Sequence, residues 1–142
     1  MPQIKMPSIK EGPVPLIRID AVAGRSEQDI RTLLDAAHRA MLAAFKVPER
    51  DRYQVYTEHP ASRLIAQDTG LDIPRTQKFV LFTVTTRPRT RAEKEAFYKL
   101  LCQELWEHCA IATSDVMVSL VQNSDEDWSF GNGRAQFLTG EL

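Results

Sequence analysis

Arg87 and Arg89 stand on either side of Pro88, where the apolar run from Phe79 to Val84 gives way to a helical pattern. Proline has a fixed φ and no amide hydrogen, so it ends a strand and leaves both guanidiniums above the strand's end. Such a pair can receive a small carboxylate; it can equally be a solvated pair near a helix start. A second group able to do chemistry is Asp51, between a helix ended by Pro48 and the β-rich run Tyr53 to Thr57. Taken alone it reads as a strand-entry residue, and Asp115, at the matching place further along, supports that reading. His38, His59 and His108 fall on a helix face, in a loop and beside Cys109, at no metal-ligand spacing, so no metal is expected. Gly131-Asn132-Gly133 lacks the strand and helix context of a phosphate loop and reads as a turn.

The elements that must position these groups come in two similar sets. Leu16 to Ala23 forms a mostly apolar strand closed by Gly24-Arg25. Ser26 precedes Asp29 by three, close to a capping box, and Ile30, Leu33, Leu34, Ala37, Met41, Ala44 and Phe45 trace one helix face. After the loop from His59 to Gly70, with a short turn expected at Arg63 to Gln67, the pattern returns: a strand from Phe79 to Thr85, a capping box at Thr90 and Glu93, and a helix lined by Phe97, Leu100, Leu101, Leu105 and Cys109. Asp115 and a strand from Val116 to Val121 complete it. Ser26 and Thr90, Arg25 and Arg89, and Asp51 and Asp115 are each 64 residues apart. A tandem repeat of two βαβ units, at about 15–58 and 79–122, accounts for this spacing. The crossover rule then gives parallel pairing within each unit and both helices on one face of a four-stranded sheet, an α/β (α+β) fold. The uncovered face calls for a second subunit. The segment Asp127 to Phe137 predicts a C-terminal β-hairpin about Gly131-Asn132-Gly133. Its Trp128, Phe130 and Phe137 would line a pocket or fill a subunit interface.

Length and composition narrow the classes further. With 142 residues and 43% apolar side chains the chain supports one domain with a real core. A net charge of -1 gives no basic field for nucleic acid, and no apolar run suits a secretion signal or membrane span. A cytoplasmic protein with no nucleic-acid or membrane partner is expected. Cys102 and Cys109 lie about 10 Å apart along one helix face, too far for a mutual disulfide, and read as buried thiols. Residues 1–14 include the tandem pentapeptide Met1-Pro2-Gln3-Ile4-Lys5 and Met6-Pro7-Ser8-Ile9-Lys10; this proline-rich extension is expected to be flexible.

The segments Pro15 to Asp20, Pro48 to Gln54, Arg87-Pro88-Arg89, Phe97 to Leu101 and Asn123 to Gly131 together resemble the tautomerase superfamily, and within it the malonate semialdehyde decarboxylases. The resemblance spans about residues 15–142 and implies a tautomerase-like domain, a homotrimer, no cofactor and a small carboxylate substrate, a 3-oxo acid. It places Pro15 on the family's catalytic amino-terminal proline, Asp51 on the acid beside that amine, Arg87 and Arg89 on the carboxylate-binding pair, and Trp128, Phe130 and Phe137 on the pocket wall. The implied reaction is decarboxylation of malonate semialdehyde to acetaldehyde and CO2. Within the superfamily, cis-3-chloroacrylate dehalogenation or hydration and phenylpyruvate-type tautomerisation are the alternatives. A free α-amine titrates near ~7.7–8.0; the Asp51 carboxylate would favour its ammonium form, while two arginines and desolvation oppose it.

Pro15 is internal in this sequence, and a proline amide nitrogen carries no hydrogen and is no nucleophile. A free amine would arise at Pro2 by loss of Met1, at Pro7 by initiation at Met6, or at Pro15 itself by initiation at Val14 from a GTG codon and removal of the initiator. The last is favoured, because Lys10-Glu11-Gly12 is what a ribosome-binding AAGGAGG would encode in frame. If Pro15 stays acylated, the expected protein is a non-catalytic oligomeric anion-binding module.

Overall fold

The computed structural model describes residues 14–142; the remainder of the proline-rich extension, with Pro2 and Pro7, lies outside them. The first unit comprises β1 (Leu16–Val22), α1 (Glu27–Phe45) and β2 (Tyr53–His59). The second comprises β3 (Val80–Thr86), α2 (Arg91–Cys109) and β4 (Val116–Gln122). β1 to β3 and α1 to α2 keep the 64-residue offset at both ends, whereas β4 starts 63 residues after β2. The expected turn lies slightly early, as a 3₁₀ segment at Ala61–Arg63.

Sequence chemistry sets the helix ends. The Ser26 hydroxyl accepts the Asp29 N–H at 3.1 Å. Thr90 and Glu93 complete a reciprocal box, with the Thr90 N–H donating to Glu93 Oε1 at 2.8 Å and the Glu93 N–H to Thr90 Oγ1 at 3.1 Å. Each arrangement satisfies amide donors that the first helical turn leaves without partners. Lys46 and Ala110, both left-handed, close the two helices.

The sheet order is β2-β1-β3-β4, parallel within each unit and antiparallel where β1 meets β3. Alternation along the strands sends Ile17, Ile19, Ala21, Val80, Phe82 and Val84 under the helices, where they pack with Leu33, Met41, Phe45, Phe97, Leu101 and Leu105. Phe45 and Phe97 stack at 5.1 Å between ring centroids, joining the two helices over the sheet. The opposite face displays Tyr53, Val55, Met117 and Val121, all exposed. Among the described residues no helix is long and apolar enough to cross a membrane. Cys102 and Cys109 are unpaired and half-buried rather than buried, and burial pushes both thiols up.

The C-terminal hairpin is corrected by the structure. The turn closes only one antiparallel bridge, Gly131 to Arg134, and Phe137 lies in a single helical turn, α3 (Gln136–Thr139). The physical reason is a side chain: the Gln136 amide bonds to the backbone of Phe130 and Gly131 where a partner strand would have done so.

Candidate active site

Register alone gathers one end of the sheet. Leu16 lies between Tyr53 and Thr85, so the residues preceding β1 and β2 and those following β3 meet at the same edge. Pro15, Asp51 and Arg87 arrive there from three separate elements. The chain leaving β4 joins them: the Asn123 N–H donates to the Thr86 carbonyl at 2.9 Å, and the aromatic segment folds over the edge.

The two arginines occupy different surroundings. Arg89 is buried and ties the fold together. Its Nε donates to Thr86 Oγ1 at 3.1 Å, its Nη1 to the Phe45 carbonyl at 3.4 Å, and its Nη2 to the Val14 carbonyl at 2.6 Å. The guanidinium also sits over the Phe45 ring, 4.9 Å from its centroid. Phe45 ends α1, whose last carbonyls lack helical partners and favour a cation. The repeat reproduces part of this grip, since Arg25, the mate of Arg89, donates through Nη2 to the carbonyl of Lys78, the mate of Val14, at 2.9 Å. Arg87, matched by Ala23 in the first unit, has no such counterpart. Its Nε donates to Asp125 Oδ1 at 2.8 Å, and its guanidinium stacks over Phe137 at 4.3 Å.

Phe137 meets Phe130 edge-on at 5.4 Å and 82°. Phe130 in turn lies parallel to Trp128 at 5.6 Å and tilted against Tyr53 at 5.9 Å. Trp128 Nε1 donates to Asn123 Oδ1 at 2.6 Å, which satisfies the indole's one polar group. Trp128, Phe130 and Phe137 are therefore a connected set of rings, with Arg87 at one end.

Asp51 is half-buried, and burial raises its carboxyl above the usual range; the hydrogen bond to the Val14 backbone and the Arg50 and Arg89 charges act in the opposite direction. Val14 is fully buried, with φ 68. That is a left-handed conformation which a β-branched residue rarely adopts. Its backbone thus lies between Asp51 and Arg89, and its carbonyl is the acyl group on the Pro15 nitrogen. Sequence reasoning missed Val14, Tyr53, Asn123, Asp125 and Gln136. The Asn123 to Asp127 run was visible, but the bonds its members form depend on how the tail folds back.

Asp115, the repeat mate of Asp51, does different work. It is buried and accepts the Thr76 N–H at 2.7 Å and the Thr76 hydroxyl at 2.5 Å. Asp115→Ala should cost about 1–3 kcal/mol in urea unfolding, because two donors lose their acceptor. Asp51→Asn should behave oppositely. For an acid whose folded pKa is raised, the stability contribution is present below the unfolded pKa and lost as pH rises through the folded one. The neutral side chain should leave neutral-pH stability unchanged or higher while impairing activity; a clear loss of stability would return Asp51 to a structural role.

A tautomerase enzyme family model matches residues 15–72, beginning at Pro15, and a second model, also of tautomerase enzymes, matches residues 51–131. The chain belongs to the tautomerase superfamily. This superfamily member is 46% identical over 129 residues to the probable tautomerase YrdN of Bacillus subtilis (strain 168), covering 91% of this chain and 100% of that protein. A solved malonate semialdehyde decarboxylase, studied as wild type, as inactivated protein and with its first-position proline changed to alanine, superimposes with a TM-score of 0.88. It is 50% identical, over 89% of this chain and 98% of that one. FG41 malonate semialdehyde decarboxylase inhibited by 3-bromopropiolate gives a TM-score of 0.85 at 39% identity, over 89% of this chain and 97% of that one. A fused 4-OT solved as a symmetric trimer shares the superfamily fold at a TM-score of 0.73 and 21% identity, covering 88% of this chain and 98% of that one.

Proposed function

We propose that this superfamily member, when its amino terminus is Pro15, decarboxylates malonate semialdehyde to acetaldehyde and CO2 without a cofactor. The observation that carries the reading is the convergence of Pro15, Asp51 and Arg87 at one end of the sheet, in a chain half identical to a malonate semialdehyde decarboxylase. In the free amino-terminal form, the prolinium donates a hydrogen bond to the aldehyde oxygen. Asp51 supports that charge. Arg87 and Arg89 hold the carboxylate with its C–C bond perpendicular to the carbonyl plane, so that the breaking bond overlaps the π system. Orientation, not tightness, is their contribution, because stronger binding of the ground state alone would not accelerate the step. The C–C bond cleaves, CO2 leaves, the electron pair becomes an enolate on the prolinium-bound oxygen, and that enolate takes a proton on carbon.

The Val14 carbonyl supports this arrangement. Arg89 donates to this oxygen, which belongs to the acyl group on the Pro15 nitrogen, so the guanidinium lies beside that nitrogen and removal of Val14 frees the donor for a substrate carboxylate. The face carrying Tyr53, Val55, Met117 and Val121 supports a homotrimer, with one complete site per chain. Phe79 stands at the second unit's equivalent of Pro15 and Ala23 at the first unit's equivalent of Arg87, so the other end of the sheet has no matching site.

The test is incubation of protein starting at Pro15 with malonate semialdehyde, with acetaldehyde and CO2 measured together. Stoichiometric release supports the proposal. Absence of both, alongside turnover of phenylpyruvate between its keto and enol forms, would move the assignment to a tautomerase, a reading favoured by the probable-tautomerase relative and by an amine able to act as a base.

A further inference from the structure

We infer that Gln136 is the positioning residue that sets the geometry of the aromatic wall and, through it, the fit of the substrate; the activity arm of this inference rests on the function proposed above. The tail from Trp128 to Phe137 has a single backbone bridge, so its rings are not placed by strand pairing. They are placed by side-chain amides. Gln136 is buried on a four-residue helix whose one other polar residue, Thr139, is exposed. Its Oε1 accepts the Phe130 N–H at 3.0 Å, and its Nε2 donates to the Gly131 carbonyl at 2.7 Å.

One planar amide thereby fixes two peptide groups with a third between them, at a point where Gly131 has φ 142 and the chain would otherwise have wide freedom. The Gln136 backbone carries Phe137 directly. Its side chain therefore sets the separation of Phe130 from Phe137, the edge-on pair of which Phe137 carries the Arg87 guanidinium. An apolar residue would fill the same space, but it would leave the part-buried Phe130 N–H and Gly131 carbonyl without these partners and the rings without a fixed spacing. Pocket walls select by the precision with which such supporting groups lock them.

The experiment uses protein starting at Pro15 in a Trp106→Phe background, which leaves Trp128 as the single tryptophan. Gln136→Leu should make Trp128 several-fold more quenchable by acrylamide. It should raise KM for malonate semialdehyde about tenfold while kcat changes less than about threefold. Gln136→Glu provides a second variant whose behaviour depends on pH. As a carboxylate it repels the Gly131 carbonyl; as a carboxylic acid it can both accept from Phe130 and donate to Gly131. Its KM and quenching should return toward the parent values as pH falls, while those of Gln136→Leu should not. Unchanged Trp128 quenching in Gln136→Leu, or a Gln136→Glu variant with no pH-dependent recovery, overturns the inference. A parent protein that does not turn over malonate semialdehyde defeats the proposed reaction instead, and the quenching results then decide the role of Gln136 alone.

Discussion

Protein beginning at Pro15 should decarboxylate malonate semialdehyde about a thousandfold faster, or more, than the chain that retains Val14 and the residues before it. One amine supplies both the charged hydrogen-bond donor and the acid or base, so the two losses do not multiply, and either is worth about 10²–10³ or more. Three obstructions coincide in the longer chain. The Pro15 nitrogen is an amide, so it neither carries a proton nor attacks a carbonyl. The Val14 carbonyl accepts from Arg89 Nη2 at 2.6 Å and so takes a donor that the proposed carboxylate would use. The Val14 backbone also bonds to Asp51, and the fully buried residue fills the space between them. Removing the extension relieves all three and releases a strained φ of 68. A coupled assay for acetaldehyde on the two purified forms, each verified by mass, provides the measurement. Equal rates would mean that the amine of Pro15 is not the catalytic group.

The offset of 64 residues anticipated both units because each is governed by local chemistry: a capped helix with one apolar face, following a strand of alternating burial. The antiparallel meeting of β1 and β3 was not legible in the same way, since it depends on pairing between units that neither pattern contains. The displacement of β4 by one residue has a visible cause. Asp115 immediately precedes β4 and turns inward to bind Thr76, whereas Arg52 separates Asp51 from β2. The catalytic candidates were legible as residue types, but their division of labour was not. The repeat separates Arg89, matched by Arg25, from Arg87, matched by Ala23, but does not give their surroundings: strand exit sends Arg87 over Phe137 and Arg89 into the core beside Phe45. The tail misled because Gly131-Asn132-Gly133 is a good hairpin turn, and nothing local announces that the Gln136 amide will take the place of strand pairing.

That division of labour gives the second large effect. Arg87→Ala should lower kcat/KM by about 10²–10³ in the Pro15-initiated protein while leaving the fold nearly as stable. The stability half follows from the pair's partial exposure: the Asp125 side chain is 44% exposed and that of Arg87 16%, and an ion pair with one partner in water contributes only modestly to folding. The activity half follows from shape. Asp125 fixes Nε and Phe137 fixes the guanidinium plane, so the group meets a carboxylate in one orientation. Arg87→Lys should therefore recover little, since an ammonium keeps the charge but loses the planar fork and the stacking. Arg89→Ala should show the contrasting pattern, with a lower urea midpoint as well as lower activity. Its removal leaves the Phe45 carbonyl and the Thr86 hydroxyl without their buried donor. Steady-state kinetics and urea melts on the three variants separate these outcomes. An Arg87→Ala protein that keeps its turnover would remove this guanidinium from the site, and one that fails to fold would make it a second structural clamp like Arg89.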